Sequence, residues 1–154
     1  MNKSLKSIRL KDLAFVFLYV IVLSILFGIM IGMVDIIIKT YVLSGISLSF
    51  IFFFLSSRWL GREIGRQYDY PHIVYVVIAF IGLFIQAVIV LVFQMFNPII
   101  IDHPEVFLDE RIYIEGFITL LRFMFTGSFL SSMRFMISFL FMGVGIYIGL
   151  RETY

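Results

Sequence analysis

Long apolar segments recur along this chain and constrain its fold more than any other feature of the sequence. Four of them cover about residues 13–34, 41–59, 73–96 and 129–150. A transmembrane helix needs about 20 predominantly apolar residues, so each segment is long enough to cross a bilayer. The sequence therefore predicts an all-α membrane protein with four transmembrane helices.

The overall composition agrees with this prediction. Hydrophobic residues make up 62% of the 154 residues and charged residues only 14%. A soluble domain of this size could not bury so much apolar surface, and a membrane would cover it instead. The chain has no internal repeat and no long polar linker, which predicts one integral membrane domain over residues 1–154.

The positions of lysine and arginine predict the orientation. The segment before the first helix carries Lys3, Lys6, Arg9 and Lys11, and the loop after the second helix carries Arg58, Arg62 and Arg66. Short loops rich in positive charge stay on the cytoplasmic side of a membrane. We therefore expect a multi-pass protein of the cell membrane with both termini in the cytoplasm.

The segment between Arg111 and Arg134 is apolar but interrupted by charge. Only 11 uncharged residues separate Arg122 from Arg134, which is too short for a fifth crossing. On a helical wheel the polar residues of this segment form one narrow stripe: Arg111, Glu115, Thr119, Arg122 and Thr126. The pattern predicts an amphipathic or re-entrant helix over about residues 111–126. Asn97 and Pro98 are expected to end the helix before it.

Arg134 near the start of the last helix has two interpretations. It could lie at the outer membrane boundary and extend its side chain to the head groups. It could instead face the bundle and pair with Glu115 or Asp35, since ionisable groups within membranes usually point inward.

Each predicted transmembrane helix also carries small residues on one face. Three pairs have the GxxxG spacing: Gly28 with Gly32, Gly61 with Gly65, and Gly145 with Gly149. Small residues let helix backbones approach closely where lipid provides no hydrophobic driving force. These faces are predicted to pack within the chain or against a partner in the membrane.

Polar residues inside the predicted helices allow a different hypothesis. Ser24, Ser49, Gln86 and Ser138 could line a path for a small solute or ion. They could equally well form ordinary hydrogen bonds between helices. No acidic residue lies near the middle of a predicted crossing, as a proton-coupled path would usually require.

Arg58, Arg62 and Arg66 recur every four residues and form one ridge on a helix. The ridge could simply anchor the chain at the membrane boundary, or it could dock anionic lipid or an acidic partner. Membrane lipids are expected partners in either case.

Several classes of function lack a sequence basis. The chain has no cysteine, its two histidines do not show the spacing of a metal site, and no serine is accompanied by a base at similar membrane depth. Basic residues cluster at membrane edges, which does not indicate nucleic-acid binding. We expect no catalytic activity, cofactor or metal. The sequence predicts a non-catalytic subunit or assembly factor of a membrane complex, with a homo-oligomeric transporter or channel as the alternative.

Overall fold

The structure is a computed structural model that describes residues 10–42, 48–66, 73–103, 105–106, 109–126 and 133–154. The described residues form five α-helices: α1 Leu10–Ile37, α2 Ser49–Arg66, α3 Ile73–Asp102, α4 Glu110–Thr126 and α5 Met133–Thr153. A π-helical turn, Ile38–Val42, extends α1. The chain is therefore all-α.

Two pairs of parallel helices build the bundle. Helix α1 runs alongside α3, with Gly28 against Ile89 and Gly32 against Phe93. Helix α2 runs alongside α5, with Phe53 against Gly145. The close approach of backbones at these glycines sets the spacing within each pair.

Helix α1 is antiparallel to α2, because Asp35 lies beside Ser49 while Phe27 contacts Trp59. The start of α1 and the end of α5 consequently lie at the same end of the bundle. We call this the basic end, since it carries Lys11, Arg62, Arg66 and Arg151. The opposite, acidic end carries the segment between α3 and α4.

The core lies where α1, α2, α3 and α5 meet. Fully buried apolar side chains there include Val20, Phe53, Leu60, Leu83 and Val90. Helix α1 nonetheless leaves many apolar side chains on the outside, including Phe15, Leu18 and Met30. Exposed apolar side chains in this number are typical of a surface that contacts a membrane or another protein.

Two helices are long and apolar enough to cross a membrane. They comprise Lys11–Tyr41, at 31 residues, and Ile73–Phe96, at 24 residues. The core helix of a soluble protein can have the same length and composition.

The second helix begins and ends later than the hydropathy of the sequence indicates, so the arginines predicted to follow it in a loop lie within the helix, which ends at Arg66. Tyr41 belongs to the π-helical turn that continues α1, and α2 starts at Ser49. Lys39 pairs with Asp35 at 2.9 Å, one turn back along the chain, so its charge does not end α1. The same Asp35 carboxylate accepts hydrogen bonds from the backbone of Leu48 and Ser49, which fixes the start of α2.

The third helix does not end at Asn97 and Pro98 but continues to Asp102. A proline inside a helix lacks a backbone donor and crowds the carbonyl four residues earlier, but the residues beyond it can still continue the ladder. The N–H of His103 donates to the carbonyl of Ile99 at 2.9 Å and completes the last turn.

Helix α4 occupies the segment for which the sequence predicts an amphipathic helix. Asp109 begins it, because its side chain accepts a hydrogen bond from the backbone of Arg111 at 3.0 Å. The helix packs on α3 through Tyr113, whose ring lies 6.4 Å from that of Phe93, and through Gly116 against Val92. The predicted start of the last crossing, at residue 129, lies outside the described residues.

Candidate functional site

Of the described glycines, Gly61 of α2 makes the closest approach to a neighbouring helix, at Gly149 of α5. A methyl group at Gly61 would overlap the carbonyl oxygen of Gly149 and lie 2.9 Å from its carbonyl carbon. A methyl group at Gly149 would lie 2.9 Å from the carbonyl oxygen of Ser57. Backbone meets backbone here, so both positions require glycine.

The other glycines singled out in the sequence also lie at contacts within the chain. A methyl group at Gly28 would lie 2.9 Å from Cβ of Ile89, and one at Gly32 would overlap the ring of Phe93. At Gly145 it would lie 2.7 Å from the ring of Phe53. Larger residues at these positions would disturb the bundle itself, whatever they do to an external partner.

Polar side chains are buried at the centre of the bundle. Gln86 of α3 is 0% exposed, and its amide nitrogen donates to the hydroxyl of Ser56 on α2. Gln94 donates in the same way to Ser49, nearer the acidic end. These bonds tie α3 to α2 at two levels.

Three buried oxygens have no hydrogen-bond partner among the described residues. They are Oγ of Ser24, Oγ of Ser57 and Oε1 of Gln86, all on residues with 0% exposure. A buried polar group without a partner costs about 1–3 kcal/mol. Of the predicted polar path, the structure thus buries Ser24, Ser49 and Gln86, whereas Ser138 is only half-buried.

The buried acid Asp35 acts at the acidic end of the α1–α2 pair. It is 2% exposed, binds Lys39, and accepts the backbone N–H groups of Leu48 and Ser49 at 2.9 and 3.0 Å. A carboxylate at a helix N-terminus satisfies donors that the helix cannot pair itself. This carboxylate therefore links α1 to the start of α2 by hydrogen bonds.

The arginine ridge meets an acid that the sequence interpretation did not use. Nε of Arg58 and Nε of Arg62 each lie 2.9 Å from an oxygen of Glu152 on α5. Hydrogen bonds from Arg62 and Arg58 hold the pKa of Glu152 below its ordinary value of 4.5. Two guanidinium groups share one carboxylate, so this cluster keeps a net positive charge.

Arg66 extends the ridge by one turn. Its side chain is exposed and forms no ion pair with the residues that the structure describes. The side chains of Arg58 and Arg62 also remain 45% and 49% exposed despite their pairing. The ridge therefore presents cationic groups to its surroundings at the basic end.

Helix α4 turns a mixed surface outward. Ile114, Ile118 and Leu121 form an exposed apolar stripe. Glu115 and Arg122 lie beside it and are exposed as well. The side chain of Arg134, for which the sequence allows a pair with Glu115 or Asp35, lies outside the described residues.

A cleft of about 470 Å³ opens between α1 and α2. Helix α1 contributes Phe27, Met30 and Val34, and α2 contributes Phe52, Leu55 and Trp59. The edge-to-face contact of Phe27 with Trp59, at 5.4 Å between ring centres, marks the end of the cleft nearer the basic end. The size lies within the range of about 300–1,000 Å³ that ligand sites occupy.

Acidic residues and His103 lie between α3 and α4. Nδ1 of His103 is 3.1 Å from Oε1 of Glu105. A backbone hydrogen bond and the bond to His103 lower the pKa of Glu105. Among the described residues, no three acidic or histidine side chains come together as a metal site would require.

Sequence reasoning missed Glu152 and the partner role of Ser56. The available signal was that Glu152, an acid, lies at a terminus predicted to share the cytoplasmic side with several arginines. No local signal indicates that Ser56 meets Gln86, because 30 residues separate them.

Comparison with protein-family models, with curated proteins and with solved structures finds no match to this chain.

Proposed function

We propose that this chain is a non-catalytic subunit or assembly factor of a larger membrane complex. In this proposal α1, α2, α3 and α5 cross the membrane, and both termini lie in the cytoplasm. The directions of the four helices support it, because they bring the start of α1 and the end of α5 to the same basic end. Positive charge at that end is typical of the cytoplasmic side.

The observation that carries the proposal is the close packing of the interior. Glycine contacts draw α1 onto α3 and α2 onto α5 until side chains or backbones touch. A conduit for a hydrated solute would require these helices to stand apart. A closely packed interior favours a structural role, in which the outer surfaces of the bundle contact other subunits.

Helix α4 is the surface that we assign to a protein partner. Its apolar stripe of Ile114, Ile118 and Leu121 is exposed, and charged Glu115 and Arg111 lie next to it. A partner helix could bury the stripe while its own polar groups meet the adjacent charges. Such mixed faces suit contacts between subunits better than contact with hydrocarbon alone.

The test combines purification in mild detergent from native membranes with photo-crosslinking. A crosslinking residue at Ile118 is expected to capture one protein in stoichiometric amount. Phe84 on α3, 45% exposed against 49% for Ile118, is the matched control position and should not capture it. Recovery of the chain alone, with no protein captured from Ile118, would refute the subunit role.

One observation favours transport as the second candidate function. The unpartnered oxygens of Ser24, Ser57 and Gln86 lie in the interior, where a passing solute or water would satisfy them. Under this hypothesis the protein is a homo-oligomer, and Gln86→Leu abolishes flux into proteoliposomes while the oligomer persists. Full flux through the Gln86→Leu protein would remove Gln86 from any path.

A further inference from the structure

The cleft between α1 and α2 and the arginine ridge lie along one line of α2. Leu55, Trp59, Arg62 and Arg66 fall within about 60° on a helical wheel. Leu55 and Trp59 line the cleft, and the two arginines follow toward the basic end. An apolar cavity thus continues directly into a cationic surface.

The cleft itself is suited to hydrocarbon. The hydroxyl of Ser56 is its polar wall group, and this hydroxyl already donates to the carbonyl of Phe53 at 2.9 Å. It also accepts the amide of Gln86, so it has no proton left to offer a ligand. An occupant gains apolar contacts here and no further hydrogen bond from that donor.

The cleft is an open groove of about 470 Å³ on the surface of the bundle. Its walls are apolar apart from Ser56, as an acyl chain requires. Phe52 lies about 15 Å from Arg62 along the axis at about 1.5 Å per residue, which matches half of a hydrocarbon core about 30 Å thick.

We propose that the chain binds one anionic phospholipid at this place, with an acyl chain in the α1–α2 cleft and the phosphate at Arg62 and Arg66. Trp59 lies between the two parts, where its ring borders both hydrocarbon and head group. The leaflet is the one at the basic end. Glu152 accepts hydrogen bonds from Nε of Arg62 and, at 3.4 Å, from one terminal nitrogen, but the Arg62 side chain stays 49% exposed, so the lipid and Glu152 can share this guanidinium.

This inference requires the membrane insertion proposed above but no protein partner. The experiment therefore uses the full chain alone, in nanodiscs of equal parts phosphatidylglycerol and phosphatidylcholine with identical acyl chains. Native mass spectrometry then counts the lipids that stay bound on release. Each arginine near a charged lipid contributes about fivefold in affinity, so we expect about 25-fold preference for phosphatidylglycerol.

Arg66→Gln is the first variant, because Arg66 forms no ion pair with the described residues and its loss leaves the Glu152 cluster intact. It should lower the preference about fivefold. Arg151→Gln removes an equal charge from exposed α5 and should not change it. Equal loss in both variants would mean general attraction to the surface and would overturn the site.

Leu55→Trp tests the cleft, since it fills the cavity and should reduce retention of both lipids. Val144→Trp, at a position 50% exposed on α5, is its control and should retain lipid as the natural chain does. Retention unchanged in Leu55→Trp would refute the cleft. Equal binding of both lipids by a well-inserted natural chain would refute the site but leave the subunit role, whereas failure to insert would refute both.

Discussion

Gly61→Ala tests whether the contact between α2 and α5 determines the bundle. The new methyl group would overlap the Gly149 carbonyl oxygen and lie 2.9 Å from the carbonyl carbon. Carbon atoms prefer a separation of about 3.5–4.0 Å, so α5 must move away from α2 by about 0.6 Å or more at this contact. A backbone carbonyl cannot rotate away as a side chain can.

The cost follows from two opposing effects. Forcing extra volume into a packed interior typically costs about 1–3 kcal/mol, and a backbone obstacle places this substitution near the upper figure. Replacing glycine by alanine inside a helix recovers up to about 1 kcal/mol. We therefore expect Gly61→Ala to lower the free energy of unfolding by about 2 kcal/mol.

Gly143→Ala is the matched control in α5. Outside its own helical turn, no described residue has an atom within 4 Å of the position that its methyl group would occupy, so only the gain in helix propensity applies. Reversible unfolding in mixed micelles can be followed by the fluorescence of Trp59, the single tryptophan of the chain. Unfolding free energies of the two variants that agree within about 0.5 kcal/mol would refute the packing argument.

Three further predictions concern the buried and paired polar groups Asp35, Gln86 and Glu152. Asp35→Ala removes the acceptor for the start of α2, so it should lower the free energy of unfolding by about 2 kcal/mol and speed hydrogen exchange at Ser49. Asp35→Asn should lower it less, and equal losses in the two variants would contradict the capping role. Gln86→Leu deletes one unpartnered oxygen along with one hydrogen bond, so the free energy of unfolding should stay within about 1 kcal/mol of that of the natural chain. A larger loss would show that the bond to Ser56 dominates. The pKa of Glu152 is lowered by Arg62 and Arg58, so the pairing is complete above pH 4.5 and is lost as pH falls through the lowered value. NMR titration of the Glu152 carboxylate should give a midpoint below 4.5, and a midpoint at or above 4.5 would contradict the pairing.

The sequence was sufficient to predict helices and the tendency of small residues to face other helices. Hydropathy is a local property, and the apolar runs place α1 and α3 within a few residues of their observed centres. The amphipathic helix α4 could also be predicted, since its polar residues repeat at helical spacing. Predictions failed at two helix ends. The start of α2 is not at Tyr41, because the Asp35 side chain of α1 fixes it at Ser49. The end of α3 is not at Pro98, because the helix continues past this one residue without a backbone donor.

The arginines of the ridge stand out in the sequence, but their contacts do not. The arginine ridge is visible in the spacing of Arg58 and Arg62, yet Glu152, which binds both, lies 94 and 90 residues away in the chain. The cleft has no signature in sequence, because its walls come from two separate helices, α1 and α2.

The sequence by itself determined that this chain is helical and strongly apolar, and that its positive charge gathers at particular segment ends. These properties follow from each residue and its near neighbours. The tertiary structure decided that α1 pairs with α3 and α2 with α5, that Gly61 meets the backbone of Gly149, and that a cleft opens above the arginines. Such features depend on which helices approach one another, and any of several apolar faces would have satisfied the local pattern equally well.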